Sequence, residues 1–75
     1  MKERLLRAAL AQYESTALTA RANLDIYLSN PCAVAEHPDV VGEVTKLTQE
    51  ITDAEENIRT IEEMLITSQP IGIEQ

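Results

Sequence analysis

LSNPCAVAEHPDVV, residues 28–41, is the stretch that interrupts an otherwise helix-like sequence. It contains two of the three prolines of the chain, together with its single cysteine and its single histidine. Asn30 tolerates the left-handed conformation of a helix carboxyl-terminal cap, and Pro31 cannot continue a helix because its backbone nitrogen carries no hydrogen. A first helix is therefore predicted to end just before these two residues.

The same stretch predicts where a second helix begins. Pro38 suits the first position of a helix, where no backbone hydrogen-bond donor is needed. His37 would then be the N-cap residue, and Asp39 would lie in the first turn, close to the positive end of the helix dipole. Residues 30–37 are predicted to form the turn between the two helices.

The two flanking segments share one hydrophobic repeat. In the first segment, apolar or small residues recur at alternating steps of four and three: Leu6, Leu10, Tyr13, Ala17, Ala20, Leu24 and Tyr27. The second segment repeats these steps: Val40, Val44, Leu47, Ile51, Ala54, Ile58, Ile61 and Leu65. Such a seam is typical of a helix that packs along one neighbour. Helices of about 2–29 and 38–67, each about 42 Å long, predict an all-α fold, an antiparallel two-helix hairpin.

Residues 1–67 are assigned to this hairpin and residues 68–75 to a flexible carboxyl-terminal tail, because Pro70 breaks the second helix. A chain of 75 residues makes one domain. A domain of this size buries only about 60% of its unfolded surface on folding, so its core is marginal. The single cysteine cannot form an internal disulfide, which leaves a partner chain as the expected source of further stability.

The first helix has a second apolar side, whereas the rest of the second helix is polar. Off its seam, the first helix carries Ala8, Ala11, Leu18, Ala22 and Ile26. A helix with two apolar sides needs two neighbours, and the hairpin supplies only one. Ala11, Leu18, Ala22 and Ile26 are therefore predicted to form an oligomer interface. A homodimer arranged as a four-helix bundle is the simplest solution, and a higher homo-oligomer is the alternative.

The net negative charge of the chain limits the classes of molecule that it is expected to bind. The net charge of −7 argues against nucleic acid or an anionic membrane and favours a basic protein partner. Residues 1–21 carry four basic and two acidic side chains, whereas residues 36–63 carry nine acidic and two basic ones. Antiparallel folding would set the basic start of the first helix beside the acidic end of the second. No transmembrane segment or secretory signal is recognisable, so a cytoplasmic location is expected.

The reactive residues do not form a recognisable site. Cys32 and His37 could begin a metal site with Glu36 and Asp39, but zinc sites usually contain paired Cys or His residues at short spacings. A nucleophilic Cys32 would need a positioned base and a pocket. The acidic residues of DAEENI, 53–58, lie off the seam and are expected to face solvent rather than a di-iron centre. No catalytic, cofactor-binding or metal-binding residue and no enzymatic activity are predicted.

The corner and its flanks resemble one group of viral proteins. LDIYLSNPCAVAEHPDVVGEV, residues 24–44, followed by an acidic helix with the AEE step of residues 54–56, is similar to small uncharacterised proteins of tailed phages that infect marine bacteria. The resemblance covers residues 24–65. It implies a helical hairpin of viral origin, and hence a location in the host cytoplasm, but no activity. In that group the turn usually has glycines where this chain has Ala33 and Ala35, which implies a different turn backbone here.

These observations favour a non-enzymatic protein of phage origin that self-associates and serves as an interaction or structural/assembly factor. The alternative is a small inhibitor, or a protein that sequesters a ligand in pockets between chains and acts on a host system. In that alternative, Arg21 and Tyr27 are the residues expected to contact the ligand.

Overall fold

The protein is a pair of long α-helices that pack against each other. The structure, a computed structural model, describes residues 1–29 and 39–67. The first helix, α1, spans Lys2–Ser29, and the second, α2, spans Val40–Thr67. The described residues contain no β-strand, which confirms the predicted all-helical hairpin. Neither α1 nor α2 combines the length and the apolar composition needed to cross a membrane.

Two predicted features lie outside the described residues. One is the turn at residues 30–37, which includes Cys32 and His37. The other is the tail at residues 68–75. The interpretation of the corner residues as turn formers therefore stays a prediction.

The start of α2 differs from the sequence-based expectation. Asp39 is the N-cap residue, because its Oδ1 atom accepts a hydrogen bond from the backbone N–H of Gly42 at 2.9 Å. Its carbonyl oxygen accepts the first hydrogen bond of the helix, from the N–H of Glu43 at 3.1 Å. The prediction that Asp39 follows a His37 cap inside the first turn was wrong. Aspartate is among the preferred N-cap residues, so the helix begins after Asp39 rather than at residue 38.

Gly42 allows the capping carboxylate to approach the helix. A β-carbon at this position would lie 2.1 Å from Oδ2 of Asp39 and 2.6 Å from its Cγ. Any larger residue would therefore require the Asp39 carboxylate to shift from the position that it occupies here. Glycine inside a helix costs about 1 kcal/mol relative to alanine, and an N-cap contributes about the same amount. Asp39 and Gly42 thus act as one unit at the start of α2.

The helices meet along the two predicted seams. All fifteen seam residues are buried or partly buried. Ala20 of α1 packs with Leu47 and Ile51 of α2, and Leu24 and Tyr27 pack against this cluster. The heptad spacing therefore identified the contact surface of both helices correctly.

The order of the contacts shows that the helices run antiparallel. Tyr27, near the end of α1, packs on the cluster that contains Leu47, near the start of α2. Arg21, earlier in α1, forms an ion pair with Glu55, later in α2. Moving back along α1 thus moves the contact forward along α2.

The core of this hairpin is small. The buried residues of the described part are Ala17, Ala20, Leu47, Ile51, Ala54 and Leu65. Three of these six are alanines, and no large side chain in the described ranges is completely enclosed. Because a fully buried large aliphatic side chain contributes about 1.5–3 kcal/mol, three of them give a two-helix chain little stability of its own.

Charged contacts add little to that core. In residues 1–29 and 39–67, Arg21 pairs with Glu55 across the helices, and Arg7 pairs with Glu3 at 3.1 Å within α1. Both pairs are largely exposed, and such pairs contribute at most about 1 kcal/mol each. Of the four basic side chains in residues 1–21, Arg21 makes the expected contact with the acidic part of α2, whereas Arg7 pairs with Glu3 in its own helix.

Candidate functional site

The second apolar side of α1 is exposed to solvent. Leu18 is 70% exposed and Ile26 is 50% exposed, and Ala11 and Ala22 are exposed as well. These are the four residues predicted to form an oligomer interface. Their separations of seven, four and four residues place them along one side of α1, because residues three or four apart are neighbours on a helix.

Most of this exposed side lies away from α2, and only Ile26 at its end also borders α2. At 100° per residue, the mean direction of the four positions is about 160° from that of the α1 seam. Mainly polar residues occupy both edges between the two apolar sides, and Leu5, which is 64% exposed, is an exception. Arg7, Glu14 and Arg21 lie along one edge, and Gln12, Thr16 and Asn23 lie along the other. The exposed side is thus a separate strip and not a widening of the seam.

The outer side of α2 has no comparable strip. Its exposed large apolar residues, Val41, Met64 and Ile66, lie in the first or the last turn of the helix. Every exposed residue between 45 and 63 is polar. Of the two helices, α1 therefore provides the apolar surface, and α2 provides a polar one on which acidic side chains outnumber basic ones.

Four of the five threonines of α2, all except Thr52, donate hydrogen bonds to the backbone of their own helix. The hydroxyl of Thr45 donates to the carbonyl oxygen of Val41 at 2.9 Å, and that of Thr48 donates to the carbonyl oxygen of Val44 at 2.8 Å. Such bonds to the preceding turn satisfy the hydroxyl without an external partner. These threonines make the outer side of α2 polar.

A shallow groove lies between the last turns of α1 and the first turns of α2. Its volume is about 420 Å³. It is lined by Asn23, Ile26 and Tyr27 of α1 and by Glu43, Lys46, Leu47 and Glu50 of α2. The structure thus places Tyr27 at the groove but leaves Arg21, its expected companion in ligand binding, paired with Glu55.

The acidic residues do not converge on a metal site. Over the described ranges, no group of three or more His, Cys, Asp or Glu side chains is placed to hold a metal ion. Asp53 and Glu56 are exposed on α2, and Glu55 is occupied by Arg21. Cys32 and His37, the other candidates for a metal site, lie outside the described residues.

Sequence reasoning missed one residue of the exposed strip. Ser15 is exposed and lies between Ala11 and Leu18 on the same side of α1. It was passed over because a hydroxyl counts as polar in a hydrophobic pattern. The signal that identifies it is its position, four residues after Ala11 and three before Leu18, which continues the helical repeat.

Comparison with known proteins gives no relative from which a function could be transferred. No protein-family model, no curated protein and no solved structure matches this chain.

Proposed function

We propose that this chain is a non-enzymatic, self-associating helical hairpin that serves as an interaction or assembly factor. One observation carries the proposal: Leu18 is 70% exposed on the side of α1 turned away from α2, and Ile26, at the rim of the groove beside α2, is 50% exposed. Because few large side chains are buried in this hairpin, burial of the exposed strip would raise its stability by a larger fraction than in a well-packed domain. Self-association supplies that cover without requiring another protein.

The size of the gain is comparable to the stability of a small domain. Full burial of a leucine or isoleucine contributes about 1.5–3 kcal/mol. Scaled by the 70% and 50% still exposed, Leu18 and Ile26 of two chains together offer about 4–7 kcal/mol. Small domains have total stabilities of about 5–15 kcal/mol, so association and folding of this hairpin would be linked.

In such an oligomer α1 lies inside and α2 outside. The outer surface would then be acidic, because exposed residues of α2 include Asp53, Glu56, Glu62 and Glu63. An acidic surface attracts a basic protein partner and repels nucleic acid. The resemblance of residues 24–65 to phage proteins is the basis for placing this partner in an infected bacterial cell.

A ligand-sequestering role is the second candidate. The groove of about 420 Å³ beside Tyr27 supports it, since that volume is within the range of small-molecule sites. The pairing of Arg21 with Glu55 removes one of its expected ligand contacts. We therefore rank it below the interaction role.

Native mass spectrometry of the protein purified from a bacterial lysate tests both candidates. A concentration-dependent dimer or higher oligomer without a retained small molecule is the expected result. A monomer at micromolar concentration contradicts self-association. A stoichiometric small molecule that stays bound through purification favours the sequestering role instead.

A further inference from the structure

The exposed side of α1 follows a second set of positions at heptad spacing, half of them apolar. Six small or apolar residues recur at heptad spacing: Ala8, Ala11, Ser15, Leu18, Ala22 and Ser29. Arg4 and Asp25 complete the alternating steps of four and three, and all eight residues are exposed. We call these eight residues the second face. Since residues at this spacing lie along one side of a helix, the second face runs the length of α1 and has room for a second long helix.

The second face is shaped to accept a copy of itself. Leu18 is its only large apolar side chain, and alanine or serine occupies the positions around it. Small residues let helix axes approach to about 8 Å. In an antiparallel pair that spans residues 4–29 of both helices, Leu18 faces Ser15 of the partner subunit, and Ala22 faces Ala11 of the partner subunit. The leucine of each subunit thus meets a small residue.

Charge selects the antiparallel direction. Arg4 lies at the start of the second face and Asp25 near its end, and neither takes part in an ion pair within residues 1–29 and 39–67. In the antiparallel pair, Arg4 lies one turn, about 6 Å along the axis, from Asp25 of the partner subunit. A parallel pair would set arginine against arginine and aspartate against aspartate, which is unfavourable.

We propose that two copies pair antiparallel through the second face, with Arg4 of each subunit beside Asp25 of the other. This inference rests on the self-association proposed above and adds its direction and residues. It also sets the shape of the dimer. Because the second face and the seam are about 160° apart on α1, the four helices form a layer in the order α2, α1, α1, α2.

The polar residues on the two edges of α1 favour the layered arrangement of the four helices. A square four-helix bundle would turn one edge of α1 into its core. One edge carries Arg7, Glu14 and Arg21, and the other carries Gln12 and Asn23. Burying either set without partners would cost free energy, whereas a layer leaves both in water.

A charge-reversal cycle tests the pairing of Arg4 with Asp25. Arg4→Glu and Asp25→Arg each bring like charges together at both ends, and each weakens the dimer about tenfold at low salt. Arg4→Glu/Asp25→Arg in one chain restores opposite charges and returns the Kd to within about twofold of the wild-type value. Neither change opposes the dipole of α1, and circular dichroism verifies that all variants stay helical.

The wild-type result separates the two proposals. Sedimentation equilibrium that shows only monomer overturns self-association and this pairing together. A wild-type dimer with a Kd that no reversal changes overturns only the antiparallel pairing, because a parallel dimer merely exchanges one like-charge contact for another.

Spin labels test the direction and the layer independently, in a Cys32→Ser background. Labels at Lys2→Cys lie about 44 Å apart along the axis in the antiparallel pair and side by side in a parallel one. In a layer, the axes of the two α2 helices are three helix spacings apart, about 25–30 Å. Labels at Glu56→Cys, in the middle of α2, are then separated by at least this distance. A Glu56 distance of about 10–15 Å indicates a square bundle and overturns the layer.

Discussion

Replacing Leu18 by glutamate tests whether the exposed side of α1 holds chains together. Leu18 is 70% exposed in the hairpin, so association can bury most of its side chain and contribute about 1–2 kcal/mol per subunit. Two symmetric copies make this about 2–4 kcal/mol for a dimer. Loss of that amount raises the Kd about 30- to 900-fold, before any cost of burying the new carboxylates.

Light scattering and thermal melts at matched concentrations measure the effect. Leu18→Glu is expected to be monomeric where the wild type is dimeric and to melt at a lower temperature, since association and folding are linked. Thr48→Glu is the matched control, because Thr48 is exposed on α2. It should leave the mass unchanged and shift stability by no more than about 0.5 kcal/mol. Equal oligomeric states for wild type and Leu18→Glu would refute the assignment of Leu18 to the interface.

Four further substitutions test the hairpin itself in urea unfolding at fixed protein concentration. Asp39→Ala should cost about 1 kcal/mol of stability. Gly42→Ala should be nearly neutral alone but stabilising by about 0.5–1 kcal/mol when Asp39 is also alanine. Strictly additive effects of the two substitutions would show that the residues are not coupled. Ile51→Ala should cost about 2–4 kcal/mol, because Ile51 is one of the three large side chains buried within residues 1–29 and 39–67. A cost below about 1 kcal/mol would contradict its place in the core. Arg21→Met should cost less than about 1 kcal/mol, because its ion pair is exposed, and a larger loss would show that the pair does more than the geometry suggests.

The sequence by itself determined the helices and their seams. Heptad steps from Leu6 to Tyr27 and from Val40 to Leu65 define which side of each helix is apolar, and that depends only on helical periodicity. The same reasoning separated Leu18 from the seam, since its position on the helix is fixed by its residue number. Antiparallel packing followed from equal helices joined by a short connection, because a short chain segment cannot return to the start of the first helix.

Only the tertiary structure decided contacts that depend on distances between side chains. Whether His37 or Asp39 caps α2 is a choice between neighbouring residues, and the bond from Gly42 to Asp39 settles where the helix begins. The distribution of charge along the sequence does not predict that Arg21 pairs with Glu55 while Arg7 pairs with Glu3 within α1. Alternative surface ion pairs differ in free energy by less than about 1 kcal/mol. Hydrophobic periodicity identifies the apolar side of a helix. Which polar side chains pair with each other depends on the positions of individual atoms, because the alternative contacts differ so little in energy.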